Sequence, residues 1–267
     1  MIRISPVDLP AETQMALEKL QRTVDDFPTY ADQVNEGKRL FKTFRQSAAC
    51  RPVLVALQQM CSGARRCHYC EDSAAIDVEH IWPKEYYPNL VFSWENYLYG
   101  CQRCNRPKSS ICEVYAHSTG KRISIPMVVK ESSGLPEAGD PLLINPRVED
   151  PMRFMMLDLL DTFFFIPTGL PYSIDWERAK HTIDLLKLNE EDVLPAARFE
   201  AYENYVTRLE KYAHQKTGGA TPHSLEPLIN SLKKMGHPTV WHEIKRQKSR
   251  NAMLSQLFTV APEALTW

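Results

Sequence analysis

Two C-x-x-C pairs, Cys67-His-Tyr-Cys70 and Cys101-Gln-Arg-Cys104, carry the plainest chemistry in this chain. Four thiolates supplied by two such turns can surround one ion tetrahedrally, the geometry zinc takes in closed structural sites. The chain has seven cysteines, an odd number in 267 residues, which fits poorly with a secreted disulfide framework. The four are therefore expected as ligands of a structural zinc. His68, inside the first knuckle, is a spare donor expected on the exposed face of its turn. A site of four cysteines is coordinatively full, so any reactivity must come from the stretch between the pairs.

That stretch holds Asp77-Val-Glu79-His80-Ile-Trp-Pro-Lys84, then Trp94-Glu-Asn96, and runs on into Cys104-Asn105-Arg106-Pro-Lys108. Ile76, Val78 and Ile81 predict a strand whose other face presents Asp77, Glu79 or His80. A carboxylate beside a histidine, with an asparagine brought near by the second knuckle, can hold a hard divalent cation. The same set leaves an imidazole free to take a proton from water.

Glu79-His80-Ile, Asn96, and Asn105 with Lys108, embedded between paired knuckles, resemble the HNH endonuclease motif. The resemblance implies a two-stranded hairpin and a helix gripping one catalytic metal (the ββα-metal unit), and phosphodiester hydrolysis assisted by magnesium or manganese. It implies His80 as general base, Glu79 as acidic metal ligand, and Asn105 as second ligand on the helix. Asn96 matches the central asparagine that steadies the hairpin loop and the base. Lys108, with Lys84 and Arg106, matches contacts to nucleic acid, DNA ahead of RNA. Many family members carry Asp where this chain has Glu79, so Asp77 is left open as sharing or replacing that ligand.

A narrower resemblance covers residues 65–200. The knuckle and Glu-His-Ile motifs, Leu143-Ile-Asn-Pro146, Asp150-Pro151, Thr182-Ile183, Leu188-Asn189 and Arg198 are similar to the nuclease subunits of retron-linked and Septu-type anti-phage systems. That likeness implies an ABC- or SMC-like ATPase partner that licenses cleavage. The later motifs also have a plain reading as scaffold, since Asn-Pro and Asp-Pro pairs form turns.

The elements that must position these residues are helical before and mixed after. Leu17, Leu20, Val24 and Phe27, then Leu40, Phe41 and Phe44, predict a helical layer over 1–62. A zinc and ββα-metal segment is expected over 63–120, and a hairpin-and-helix region over 121–267. Within the last, a strand is expected over 123–130, a surface loop over 131–140 and a short hairpin near 163–166. Helices are expected from 175, over about 192–215, over 222–235 and over 239–258. The fold class is thus α+β.

At 43% hydrophobic and 24% charged, the chain is expected to fold rather than remain disordered. A net charge of −1 gives no global pull toward nucleic acid or anionic lipid, so any such site must be a local patch. Two basic stretches, Lys38 to Arg45 and Lys233 to Arg250, are open to two readings: a grip on phosphates with salt-sensitive affinity, or, more commonly, solvated helix faces. No apolar run reaches the ~18 residues a bilayer span needs, and the expected compartment is the cytoplasm. Two other readings compete with the partnered nuclease: a non-catalytic zinc-knuckle binding module and a toxin-like nuclease acting alone. Glu79, His80 and Asn105 together favour catalysis, because a simple binder has no use for that set.

Overall fold

The computed structural model describes residues 1–125, 134–190 and 193–267. Helices α1 (Ala11–Asp25), α2 (Tyr30–Gln46) and α3 (Arg51–Gln59) form the expected front layer. Thr29 starts α2 by accepting a hydrogen bond from the Asp32 amide, a side-chain cap for one orphan N–H. The apolar stripes bury Leu17, Val24, Phe41, Phe44, Val53 and Leu57 in one core with Val78, Val91, Phe92, Tyr97 and Tyr99. This layer therefore covers one side of the hairpin described next. Gly37 permits the close approach: a Cβ there would lie 3.0 Å from Val91 Cγ2.

Strands β1 (Asp77–His80) and β2 (Tyr97–Gly100) pair antiparallel, with Asp77 opposite Gly100 and His80 opposite Tyr97. Helix α4 (Gln102–Lys108) follows directly, so the chain order between the cysteine pairs is strand, strand, helix. A second and larger core takes in the four cysteines, Tyr69, Ile81 and Leu98 together with the C-terminal region. The hairpin and knuckles thus sit between the two cores.

Beyond α4, β3 (Glu113–Ala116) lies between β4 (Arg122–Ser124) and β5 (Gly139–Pro141) in a three-stranded antiparallel sheet. Strands β6 (Met155–Leu157) and β7 (Phe165–Pro167) make the small hairpin. Helices α5 (Ile174–Leu185), α6 (Leu194–Thr217), α7 (Pro222–Lys233), α8 (Pro238–Gln247) and α9 (Ala252–Val260) complete the chain. Among the described residues no helix is long and apolar enough to cross a membrane.

Three expectations change. Gly139 and Asp140, read as the end of a loop, belong with Pro141 to β5, because long-range pairing with β3 overrides their turn-rich composition. The strand expected over 123–130 begins within β4, and residues 126–133 of that strand and the following loop lie outside the described residues, as does Asp192. The single helix expected over 239–258 is two: Asn251 breaks it by capping α9, accepting from the Leu254 amide.

The later motif residues act as internal staples. Thr182 Oγ1 accepts from the Ile144 amide at 3.0 Å, and Asn189 makes two hydrogen bonds to the Phe165 backbone at 2.7 and 2.9 Å. Arg198 is buried and donates to the carbonyls of Phe163 and Leu188.

Gly63, between α3 and the first knuckle, has φ +69°, and a Cβ there would lie 2.0 Å from the Lys234 carbonyl oxygen. Gly63→Ala is expected to destabilise the protein by more than the roughly 1–2 kcal/mol of a left-handed L-residue alone, read as a lower urea midpoint. An unchanged midpoint would refute the packing of this turn against the end of α7.

Candidate active site

Cys67 and Cys70 come from the turn before β1, Cys101 from the end of β2 and Cys104 from the first turn of α4. All four are buried, and their sulfurs lie within 4.8 Å of one another. Cys70 and Cys101 are 3.8 Å apart, matching the ~3.8 Å edge of a tetrahedron with zinc–thiolate bonds of about 2.3 Å. The turn is local: the Glu71 amide donates to the Cys67 carbonyl at 2.9 Å, with Glu71 itself at φ +64°. Hydrogen bonds from Cys104, Cys67 and Cys70 hold the Cys101 thiol far below its usual range. The donor set fits a structural zinc, since clustered thiols that share protons release them readily to an ion. His68 departs from its expected exposed place. It is buried, its Nδ1 accepts from the Tyr99 amide at 3.1 Å, and it braces the knuckle against β2 rather than offering a ligand.

Next to this centre lies a cleft of about 940 Å³. Asp77, Glu79 and His80 reach it from β1, and Asn105 and Arg106 from α4. Gly100 faces Asp77 across the hairpin, and a Cβ on it would lie 3.2 Å from Glu79 Cβ, so glycine leaves that side chain room. The carboxylates, the imidazole and the amide that the sequence singled out therefore share one solvent-filled space.

His80 is 4% exposed, and its Nε2 lies 2.9 Å from the Val91 carbonyl oxygen. A carbonyl only accepts, so Nε2 carries the proton and Nδ1 keeps a lone pair. Nδ1 makes no hydrogen bond among the described residues. The Phe41 ring (4.4 Å, edge-on) and the Tyr97 ring (5.1 Å) clamp the imidazole plane. Burial above all, then the nearby Lys84 charge, lowers its pKa to about 3.

Glu79 is buried and ion-paired to Lys108, with Oε1 2.5 Å from Nζ. Burial still raises its pKa, with the Lys108 charge opposing. Asp77 is ion-paired to Arg45 of α2. The side chain of Asn105 makes no hydrogen bond among the described residues, so its amide is free to coordinate.

Asn96 lies outside the cleft. Its Oδ1 accepts from the Trp82 amide at 2.7 Å, and its Nδ2 donates to the carbonyls of Trp82 and Leu90. It ties together the two ends of the connection between β1 and β2. Lys108 must be corrected: it is 1% exposed and donates to the His80 carbonyl at 2.7 Å while pairing with Glu79. Such a side chain supports the site from beneath and does not meet a phosphate. Lys84 lines the cleft, paired to Glu85 at 2.9 Å, and Arg106 is exposed on its rim.

Sequence reasoning left α2 open between a phosphate grip and a solvated face and did not place it at the site. Lys38, Lys42 and Arg45 line the cleft, and the Phe41 ring between them lies against His80. Their spacing beside a buried aromatic was the available signal. The C-terminal basic cluster is partly absorbed by structure: Arg246 pairs with Glu243, Lys245 donates to the Trp267 carbonyl, and His237 is buried beside Asp72.

The fold and site define a mixed α/β protein with a buried four-cysteine cluster that could bind a metal, beside a carboxylate–imidazole cleft. No family model matches the chain. It is similar to Septu protein PtuB of Bacillus thuringiensis, 28% identical over 187 residues, which is 67% of this chain. The match spans 58% of that relative's length.

Two outcomes test this geometry. Lys108→Met leaves the buried Glu79 uncompensated and is expected to cost about 3–5 kcal/mol in urea unfolding; a loss below 1 kcal/mol would remove the brace. The folded pKa of His80, about 3, lies below its unfolded value of ~6.5. As pH falls, the unfolded chain takes the proton first, so the stability His80 contributes is complete above ~6.5 and drains away down to about 3. Wild type should therefore lose more stability between pH 7 and pH 4 than His80→Gln, and equal losses would contradict the neutral, buried imidazole.

Proposed function

We propose that this chain is a metal-dependent endonuclease of the HNH type and the nuclease member of a Septu-type anti-phage system. An ABC- or SMC-like ATPase would license its cleavage. One observation carries the reading: Asp77, Glu79, His80 and Asn105 line a single cleft whose rim is basic. The strand–strand–helix order between the cysteine pairs and the likeness to Septu protein PtuB support it further.

In this mechanism Glu79 and Asn105, with Asp77 as the remaining carboxylate, hold a magnesium or manganese ion. The ion supplies charge stabilisation to the phosphate and the leaving oxygen. His80 uses its Nδ1 lone pair to take a proton from the attacking water, while Nε2 stays donated to Val91 and fixes the ring. A free imidazole with a pKa near 3 is a weak base. The negative charge of a bound phosphate opposes the Lys84 and Lys108 charges that help depress it, so substrate itself strengthens the base. Lys84 and Arg106 sit where they can meet phosphate oxygens, and Lys108 keeps the Glu79 carboxylate charged beneath them. One such site cuts one strand, so a double-strand break needs two copies.

Purified protein, with and without the candidate ATPase, is incubated with DNA and RNA in Mg²⁺ or Mn²⁺. Cleavage that requires the divalent ion is expected. His80→Ala should slow it by a factor on the order of 10²–10⁴. Undiminished metal-dependent cleavage by His80→Ala would defeat the assignment.

A further inference from the structure

The net charge of the chain is −1, so attraction to a polyanion has to be concentrated locally. Helix α2 concentrates it. Lys38, Lys42 and Arg45 are spaced four and three residues apart, which places them on one stripe of the helix. All three line the cleft that contains His80. Arg39 is one residue out of phase and does not line it; its Nε and Nη2 donate to the two Glu36 carboxylate oxygens at 2.7 and 2.5 Å. Lys38 and Lys42, by contrast, are exposed and make no ion pair or hydrogen bond among the described residues. The helix thus leaves Lys38 and Lys42 free at the cleft, pairs Arg45 with the cleft's own Asp77, and neutralises Arg39, which does not line it.

We propose that this stripe of α2 is a phosphate rail: Lys38, Lys42 and Arg45 bind successive backbone phosphates of the nucleic-acid strand that enters the cleft. The inference rests on the proposed phosphodiesterase reading and adds the path of the substrate. The three residues span about 10 Å along the helix axis, the axial length of about three nucleotides at ~3.4 Å per phosphate of one strand. Lys84, whose ammonium lies 6.0 Å from the centre of the Phe41 ring, and Arg106 line the same cleft and add cations to the path. Phe41, buried between Lys38 and Lys42, sets its ring against His80. The rail and the base therefore belong to one rigid unit, so a strand seated on the rail arrives at a fixed distance from the imidazole. Arg45 completes the rail by exchanging its Asp77 partner for a phosphate, which frees the Asp77 carboxylate in the same step.

The test is equilibrium binding by fluorescence anisotropy, without added Mg²⁺ or Mn²⁺ so that nothing is cut and without a chelator that would strip the cysteine quartet, over a series of salt concentrations. The probes are fluorescein-labelled DNA and RNA oligonucleotides of one sequence, which separates the two sources of the same phosphate chemistry. The slope of log affinity against log salt should become shallower by about 2 in Lys38→Gln/Lys42→Gln, close to one phosphate contact per lysine. Arg39→Gln should keep the wild-type slope. All the altered side chains are exposed, and circular dichroism checks that the variants fold. A wild-type slope in the double variant, an equal loss in Arg39→Gln, or no binding by wild type overturns the rail. Lysine-dependent binding without any cleavage in Mg²⁺ or Mn²⁺ upholds the rail and sinks the nuclease reading; cleavage with an unaltered slope does the reverse.

Discussion

Four sulfurs converging within 4.8 Å, two from each end of a long intervening segment, are the constraint from which the rest of the site follows. Bringing Cys67 and Cys70 to Cys101 and Cys104 closes a loop whose entropy a metal held by the quartet would offset. Inside that closed loop the chain has room for one hairpin, and β1 and β2 occupy it in antiparallel register. Because Cys101 and Cys104 also begin α4, the helix starts at the cysteine cluster and its next residue, Asn105, is delivered to the cleft. Position and chemistry are thus coupled through a centre that does no chemistry itself.

The hairpin is stabilised from both sides. Val78, Tyr97 and Tyr99 enter the core built by the N-terminal helices, and Ile81 and Leu98 enter the core shared with the C-terminal region. Burial on both sides drags Glu79 and His80 out of water, and each needs a partner. Lys108 answers for both, pairing with the Glu79 carboxylate and donating to the His80 main-chain carbonyl. A buried ion pair of this kind contributes little net stability, but it fixes where the carboxylate lies.

Desolvation also sets the character of the base. Held neutral by burial and neighbouring cations, the imidazole keeps a lone pair at every physiological pH, at the cost of basicity. A bound phosphate changes that balance, since its charge is of the sign that Lys84 and the α2 cations are arranged to meet. Lys38, Lys42, Arg45, Lys84, Arg106 and His80 line one cleft in a chain whose overall charge is close to zero.

Several features were legible in the residues alone. The paired C-x-x-C spacing announces a metal centre, since ligand geometry is written into two turns of four residues each. Helical periodicity located α1 to α3, and Glu79-His80 with Asn105 marked the reactive set. Asn251, which divides α8 from α9, was misread because a capping asparagine and a helical one look alike until a neighbouring amide is seen to use the side chain. Gly139 and Asp140, read as loop, became strand only through their pairing with β3. The role of Lys108 could not be read from spacing, and on α2 the spacing of cations beside an aromatic did not say what that face meets. Whether a lysine meets solvent, phosphate or a buried carboxylate depends on which distant segment packs over it, and that is decided by long-range packing rather than by local sequence.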